Sequence, residues 1–333
     1  MIIALDAEGG DYAPHEIVKG AVKAVEEYDI EVALVGRRSM LHVLTAKELK
    51  KKKTSFTIVD AEQVITADEP PMKALRSKPN SSIMVGVNLV KEGKADAFVS
   101  AGNTGALFGA AMLNLGKLKD IERPGIACTI NFTASPVVLI DAGANAECRA
   151  SHLVQFARMG SIYSERVLGI ASPKVGLLSI GVEETKGTPL VQEAYQLLKQ
   201  TKGINFIGNI EAQDVYKAVA DVVVTDGFTG NIVLKTIEGL SDNFLNFMRN
   251  VERVFSSAYH MRGRDLLRDL GLGGHVKKMD YREYGGACLL GVNGNIVKAH
   301  GRSRAGTIKN AIGVAEQMVQ QKILETIKGE SDE

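Results

Sequence analysis

Short apolar runs alternate with amphipathic stretches along almost the whole chain. Runs at 2–6, 31–36, 56–60, 97–101, 125–130, 137–141, 175–180 and 222–225 are expected to form strands. Helix-length segments lie between them, among them 15–28, 81–91, 106–115, 151–163 and 189–199. Strands that read as unbroken apolar runs belong to sheets covered on both faces. The pattern therefore predicts an α/β fold, a three-layer αβα sandwich around a mostly parallel sheet. The gap between 125–130 and 137–141 is too short for a crossover helix and predicts a hairpin. A second hairpin is expected from 287–290 and 296–298, before a final helix over about 304–328.

One stretch departs from this rhythm. From Gly227 onward the pattern is helical, with Phe244, Phe247, Met248, Val251, Val254, Phe255 and Tyr259 at the spacing of one apolar face. The helix is expected to end near Arg262 and Gly263, and Leu266, Leu267, Leu270 and Leu272 suggest a returning arm. We expect a helical hairpin, over about 240–275, projecting from a single domain that spans 1–333. No Pro, Gly or Ser-rich linker divides the chain.

Charge narrows the partners. Forty Lys and Arg against 39 Asp and Glu leave a net of +1, which gives no global attraction for nucleic acid. The balance hides a local excess: 244–278 carries seven basic and three acidic residues. A basic amphipathic element suits an anionic membrane surface or an acidic partner protein. No window approaches 18 apolar residues, the opening residues read as a strand rather than a leader, and Cys128, Cys148 and Cys288 form no C-x-x-C pair. A reduced, cytosolic setting without a disulfide framework or a metal centre is expected.

Glycine, 34 of 333 residues, is in excess of the usual ~7%. It gathers in turns that follow strands: Asp6-Ala-Glu-Gly9-Gly10-Asp11, Gly102-Asn103-Thr104-Gly105, Gly143-Ala-Asn145 and Asp226-Gly-Phe-Thr229-Gly230-Asn231. In a parallel sheet such turns share the carboxyl edge, where backbone N–H groups, helix starts and Asn or Thr side chains hold anions. Tight turns and helix caps use the same residues for purely local reasons. On this reading Asp6, Gly9, Gly10, Asp11, Gly102, Asn103, Thr104, Gly105, Asn145, Thr229 and Gly230 surround a phosphate-sized anion. His300, after a strand and before Gly301, joins them. Lys186 stands in a polar loop before a helix opened by Pro189, beside the acids Glu183 and Glu184. No phosphate-binding P-loop, dinucleotide G-x-G-x-x-G helix start, nucleophile elbow or H-E-x-x-H is present. A covalent nucleophile is therefore not indicated, and a bound phosphate can itself attack.

Several motifs match in order and spacing: Asp6-Ala-x-Gly-Gly-Asp11-x-Ala-Pro14, Ser100-Ala-Gly-Asn-Thr-Gly105, Met159-Gly-Ser-Ile-Tyr163, Glu184-Thr-Lys-Gly187, Asp226-Gly-Phe-Thr-Gly-Asn231 and Tyr284-Gly-Gly-Ala-x-Leu-Leu-Gly-Val-Asn293. Over nearly its whole length the chain resembles the phosphate acyltransferase family of bacterial phospholipid synthesis, PlsX. The resemblance implies transfer of a long-chain acyl group from acyl carrier protein to inorganic phosphate. It also implies a homodimer with a fold like that of phosphotransacetylases and isopropylmalate dehydrogenase, and no cofactor. The acyl phosphate would pass to a glycerol-3-phosphate acyltransferase, and the protein would touch the cytoplasmic face of the membrane through the hairpin tip, Val254, Phe255, Tyr259 and Met261. The family's proposed catalytic pair falls on Lys186 and Asn231. Glu8, Tyr12, Cys288, Arg302 and Arg304 depart from the family's usual residues. A short-chain phosphotransacetylase acting on acyl-CoA, and a non-catalytic membrane scaffold for acyl carrier protein, are the competing readings.

Overall fold

The computed structural model describes residues 1–49, 56–131, 135–259 and 285–330. Eleven strands form one sheet in the order β3-β2-β1-β4-β11-β10-β5-β6-β9-β7-β8. They are β1 (Ile2–Asp6), β2 (Glu31–Gly36), β3 (Thr57–Asp60), β4 (Ala97–Ser100), β5 (Gly125–Ile130), β6 (Val137–Ile140), β7 (Lys174–Leu178), β8 (Asn205–Ile210), β9 (Val222–Val224), β10 (Ala287–Leu290) and β11 (Asn295–Lys298). The helices are α1 (His15–Glu27), α2 (Arg38–Glu48), α3 (Pro71–Ser77), α4 (Ser82–Lys91), α5 (Thr104–Asn114), α6 (Ala150–Leu168), α7 (Pro189–Gln200), α8 (Ala212–Lys217), α9 (Gly227–Tyr259), α10 (Ala305–Gln320) and α11 (Ile323–Glu330).

Alternation along the strands divides the interior between two faces. Ile3 and Leu5 of β1 join a core with Ile17 and Ala21 of α1, Phe156 of α6 and Ile308 of α10. Ala4 and its level neighbour Phe98 point the other way, against Ile83 and Val87 of α4, Leu107 of α5 and Ile237 of α9. The expected mostly parallel, three-layer α/β architecture is present. Two boundaries shift. The final helix is interrupted at Lys322, whose φ of 52° breaks the helical path between α10 and α11. Strand β8 escapes the apolar pattern because Asn205, Gly208 and Asn209 interrupt its run.

Both expected hairpins form, β5–β6 and β10–β11. The first has a consequence for the site. Because β5 and β6 are antiparallel while β6, β9, β7 and β8 are mutually parallel, these last four run opposite to β1, β2, β3, β4 and β11. The glycine-rich turns therefore do not share one carboxyl edge. Those after β1 and β4 leave the sheet in one direction, those after β6 and β9 in the other. The registers reconcile them. Ser100, Lys298, Ala287, Cys128, Leu139 and Val223 form one cross-strand row. Strand β4 ends on this row, and β6 and β9 end one residue past it from the opposite side. The two sets of turns thus meet in the middle of the sheet.

Helix α9 is continuous to Tyr259, so the described backbone of the excursion is helical as expected. Val254, Phe255 and Tyr259 lie on it, although their side chains fall outside the description. Met261 and the returning arm at 266–272 lie outside the described residues.

Candidate active site

A cavity of about 390 Å³ opens over this row, on the face that carries α5 and α9. Its floor is β5, through Ile126, Cys128 and Ile130, and its walls include Phe108, Leu234 and Ile237. Thr104 and Gly105, the first residues of α5, stand at one side, with Gly143, Asn231 and His300 also on the lining. Four of the expected residues, Thr104, Gly105, Asn231 and His300, are therefore brought together. Lys298, Lys235 and Glu238 join them, and none of the three was singled out from the sequence. A signal existed for two. Asn231, Lys235 and Glu238 are four and three residues apart, the spacing of one helix face. Lys298 carries no such mark, since it closes a four-residue strand that also opens on a polar residue, Asn295.

The charges are arranged around Glu238. Its carboxylate accepts from Lys235 Nζ at 2.7 Å and lies 3.5 Å from His300 Nε2. Burial pushes this carboxyl up, but hydrogen bonds from His300 and Lys235 outweigh it and leave the group below its ordinary range. Lys298 donates to the carbonyl of Ala299. Burial, reinforced by the neighbouring Lys235 charge, lowers its ammonium to about 8. Burial raises Cys128, on the floor, to about 12. Asn231 projects beside Gly143, and its side-chain amide makes no hydrogen bond among the described residues.

The other expected residues are occupied in holding the turns. Asn103 caps α5 by accepting from Ala106 N–H at 3.0 Å, while its Nδ2 donates to the carbonyls of Thr66, Ala67 and Glu69. Asn145 Nδ2 donates to Pro124 O at 2.7 Å and Asp141 Oδ2 at 2.9 Å. The buried Asp141 carboxylate also accepts from the backbone N–H groups of Ile126, Gly143, Ala144 and Asn145. Asp226 caps α9, accepting from both the N–H and the hydroxyl of Thr229. Gly230 packs on the carbonyl of Asp141, where a Cβ has no room.

Asp6 is buried and accepts from Ser100 Oγ at 2.6 Å, with burial as the largest influence raising its pKa. A Cβ on Gly9 would lie 2.6 Å from the Gly102 nitrogen, so Gly9 and Gly102 bring these two loops into contact. Asp11 N–H donates to Gly301 O at 2.8 Å. Asp6, Gly9, Gly10, Asp11, Gly102, Asn103, Asn145, Thr229 and Gly230 thus build the frame and do not line the cavity.

Lys186 is also outside the lining. It sits exposed on the loop after β7, which ends on the same side of the sheet as β9. Asn209 Nδ2 pins this loop through Glu183 O, and Gln192 Nε2 through Thr185 O and Gly187 O. Glu184 pairs with Lys199, which leaves the Lys186 ammonium without a partner among the described residues. Four of the five residues noted as departures from the resembled family have these local partners. Glu8 takes a two-point ion pair from Arg37, Arg304 lies 4.7 Å over the Tyr12 ring, and buried Cys288 donates to Tyr163 Oη.

Among the described residues no cluster of three metal-binding side chains occurs, and no helix is long and apolar enough to cross a membrane. An apolar hollow lined by cations and, among the described residues, by the unbonded Asn231 amide fits a substrate that is part hydrocarbon and part anion.

Comparison with known proteins agrees with this chemistry. A family model described as "Fatty acid synthesis protein" matches residues 1–326. A phosphate acyltransferase of Dehalococcoides mccartyi is 54% identical over 333 residues, covering 98% of this chain and 95% of the relative. A phosphate acyltransferase of Desulforamulus reducens is 46% identical over 328 residues, covering 98% and 96%. In structure, a phosphotransacetylase from Streptococcus pyogenes superposes with a TM-score of 0.64 at 18% identity, covering 96% of this chain and 94% of its own. That last likeness supports the fold alone. Identity of this extent over nearly full length places the chain in the phosphate acyltransferase (PlsX) family, and it is an acyl-transferring enzyme of that family.

Proposed function

We propose that the enzyme moves a long-chain fatty acyl group from acyl carrier protein to inorganic phosphate, giving acyl phosphate for phospholipid synthesis. The observation that carries this reading is the pairing, in one cavity, of hydrocarbon walls with Lys235, Lys298 and the unbonded Asn231 amide. A phosphate oxygen attacks the thioester carbonyl carbon, so that a C–O bond forms and the C–S bond breaks. The sulfur leaves with the bonding pair and takes up the proton that hydrogen phosphate gives up. Asn231 donates to the carbonyl oxygen as negative charge develops there. One such donor contributes roughly 3 kcal/mol to the transition state. Lys186, on the pinned loop at the same side of the sheet, supports the anionic prosthetic arm or the departing sulfur of the carrier.

The same reading makes the chain one α/β domain acting as a homodimer. A second copy would cover the exposed apolar side chains Phe228, Ile232, Leu240 and Phe247 of α9. The tip residues would meet an anionic membrane, and a glycerol-3-phosphate acyltransferase would consume the product.

Purified enzyme is incubated with long-chain acyl carrier protein and phosphate, and acyl phosphate is trapped with hydroxylamine. Hydroxamate from the carrier but little from acetyl-CoA supports the proposal. The reverse preference identifies a short-chain phosphotransacetylase, and no product from either donor identifies a scaffold. Asn231→Ala should lower kcat by about 100-fold or more with the carrier KM unchanged.

A further inference from the structure

The cavity contains a cation that the family resemblance did not assign. Lys298 closes β11 in the cross-strand row where the two oppositely directed halves of the sheet meet. Its neighbours in the row, Ala287 and Ser100, carry no charge, and its ammonium donates only to the carbonyl of Ala299 among the described residues. Among the described residues no carboxylate lies within ion-pair distance of it. The side chain is half-buried, and drawing an ammonium away from water without a countercharge is costly. Of the acids that act on it, Glu238 is engaged by Lys235 and His300. Asp6 is engaged by Ser100.

We infer that Lys298 binds the attacking phosphate, holding one of its oxygens at the floor of the cavity opposite Asn231. This rests on the acyl-transfer reading above and names the side chain that receives its second substrate. Three features converge. The ammonium has donors to spare and reaches a cavity large enough for phosphate and part of an acyl chain. Thr104 and Gly105, the first residues of α5, line the same space, so the positive end of that helix favours an anion there. Lys235 adds a second cation on the facing helix. A lysine on a sheet strand is also better fixed than one on a loop, which suits a group that must hold a nucleophile in line.

The groups facing Lys298 are Lys235 and Glu238 on α9, His300 beyond β11, Asp6 at the end of β1 and Asp11 on the loop that follows it. Burial leaves Lys298 losing its proton as pH rises through about 8, so phosphate binding should weaken across that range. Arginine at this position stays charged and should carry binding to higher pH.

The test is equilibrium dialysis of inorganic phosphate against the full-length enzyme, alongside the hydroxamate assay. Lys298→Met should weaken phosphate binding by about 10- to 100-fold, the range for losing a hydrogen bond to a charged group. It should raise the phosphate KM in parallel and leave the carrier KM unchanged. Lys298→Arg should keep phosphate affinity within about threefold and extend binding above pH 8. The ionisation of phosphate itself is common to every protein compared and cancels. Unaltered phosphate affinity and KM in Lys298→Met, with hydroxamate still formed, overturns the inference while acyl transfer stands. Loss of phosphate binding in Lys298→Met, from an enzyme that makes no acyl phosphate, keeps Lys298 as the anion site and overturns the acyl-transfer reading. A wild-type enzyme that binds no phosphate at all overturns the inference. If Lys298→Met fails to fold, Lys298→Arg decides by the pH at which phosphate affinity is lost: an unmoved limit overturns the inference.

Discussion

Asn145 reads in the sequence as an anion-binding amide, whereas the structure spends it on the frame, and Asn145→Ala separates the two. The residue is 7% exposed, and its Nδ2 donates at 2.7 Å to Pro124 O and at 2.9 Å to the Asp141 carboxylate. Alanine removes both bonds. A bond to a neutral buried acceptor contributes about 1 kcal/mol and one to a charged acceptor about 2 kcal/mol. The expected loss is therefore about 3 kcal/mol. For a protein of this size, a melting temperature shifts by roughly 2 °C per kcal/mol, giving a fall of about 6 °C. Thermal denaturation followed by circular dichroism reads the loss, and the hydroxamate assay well below the transition reads turnover. Turnover should stay within about threefold of wild type, because Asn145 does not line the cavity. An unchanged melting temperature with turnover down 100-fold would refute this reasoning and return Asn145 to the chemistry.

Three further outcomes follow from the same geometry. Gly230→Ala should destabilise by roughly 3 kcal/mol or more, because its Cβ meets the Asp141 carbonyl, while Gly239→Ala, in open space on α9, should gain about 0.5–1 kcal/mol in the same melts. Glu69 should titrate at about 2, chiefly through its hydrogen bond from Lys78, and carboxyl-detected NMR should find it raised in Lys78→Met but still below its ordinary 4.5, because the Thr66 N–H and hydroxyl still donate to it. A depressed acid stabilises the fold above its unfolded pKa, so this contribution is present above pH 4.5 and is lost as pH falls toward 2. Burial holds Cys128 and Cys288 near 12 and Cys148 near 11, so iodoacetamide at pH 8 should label all three on the order of 100-fold or more slowly than a free thiol. Cys128→Ala should retain turnover. Alkylation at the free-thiol rate, or an inactive Cys128→Ala of normal stability, would put a covalent acyl-cysteine step back in play.

Much of the fold was legible because most strands are uninterrupted apolar runs and their helices keep a clean apolar face. Strand β8 was hidden by Asn205, Gly208 and Asn209, which interrupt its apolar run. The site was legible in part. Asn231 and the start of α5 fall on the cavity, since a ligand-facing turn and a helix start carry local sequence marks. Asn103, Asn145 and Thr229 carry those same marks, yet each bonds the backbone or a carboxylate nearby. Composition cannot separate an amide that caps a turn from one left open to a ligand. Lys298 was invisible for another reason. Its importance comes from the strands on either side of it, which are distant in the chain.

The hairpin between β5 and β6 is the feature whose meaning the sequence concealed. Its short gap announces antiparallel strands, and antiparallel strands there reverse the whole second half of the sheet. Turns that would otherwise line one edge are sent out in opposite directions, and only the stagger of the registers brings them together over Cys128 and Lys298. The glycines are then required mainly for contact between backbones. Gly9 meets the Gly102 nitrogen and Gly230 meets the Asp141 carbonyl, each closer than any side chain allows. Their backbone N–H groups are turned largely to internal partners, as Asp141 illustrates for the turn at Gly143. On the proposed reading, recognition of phosphate consequently falls to charged side chains on strand and helix, with the α5 terminus in support. Such a site should discriminate substrates by charge and should lose affinity when one cation is removed, rather than by small changes in any glycine loop.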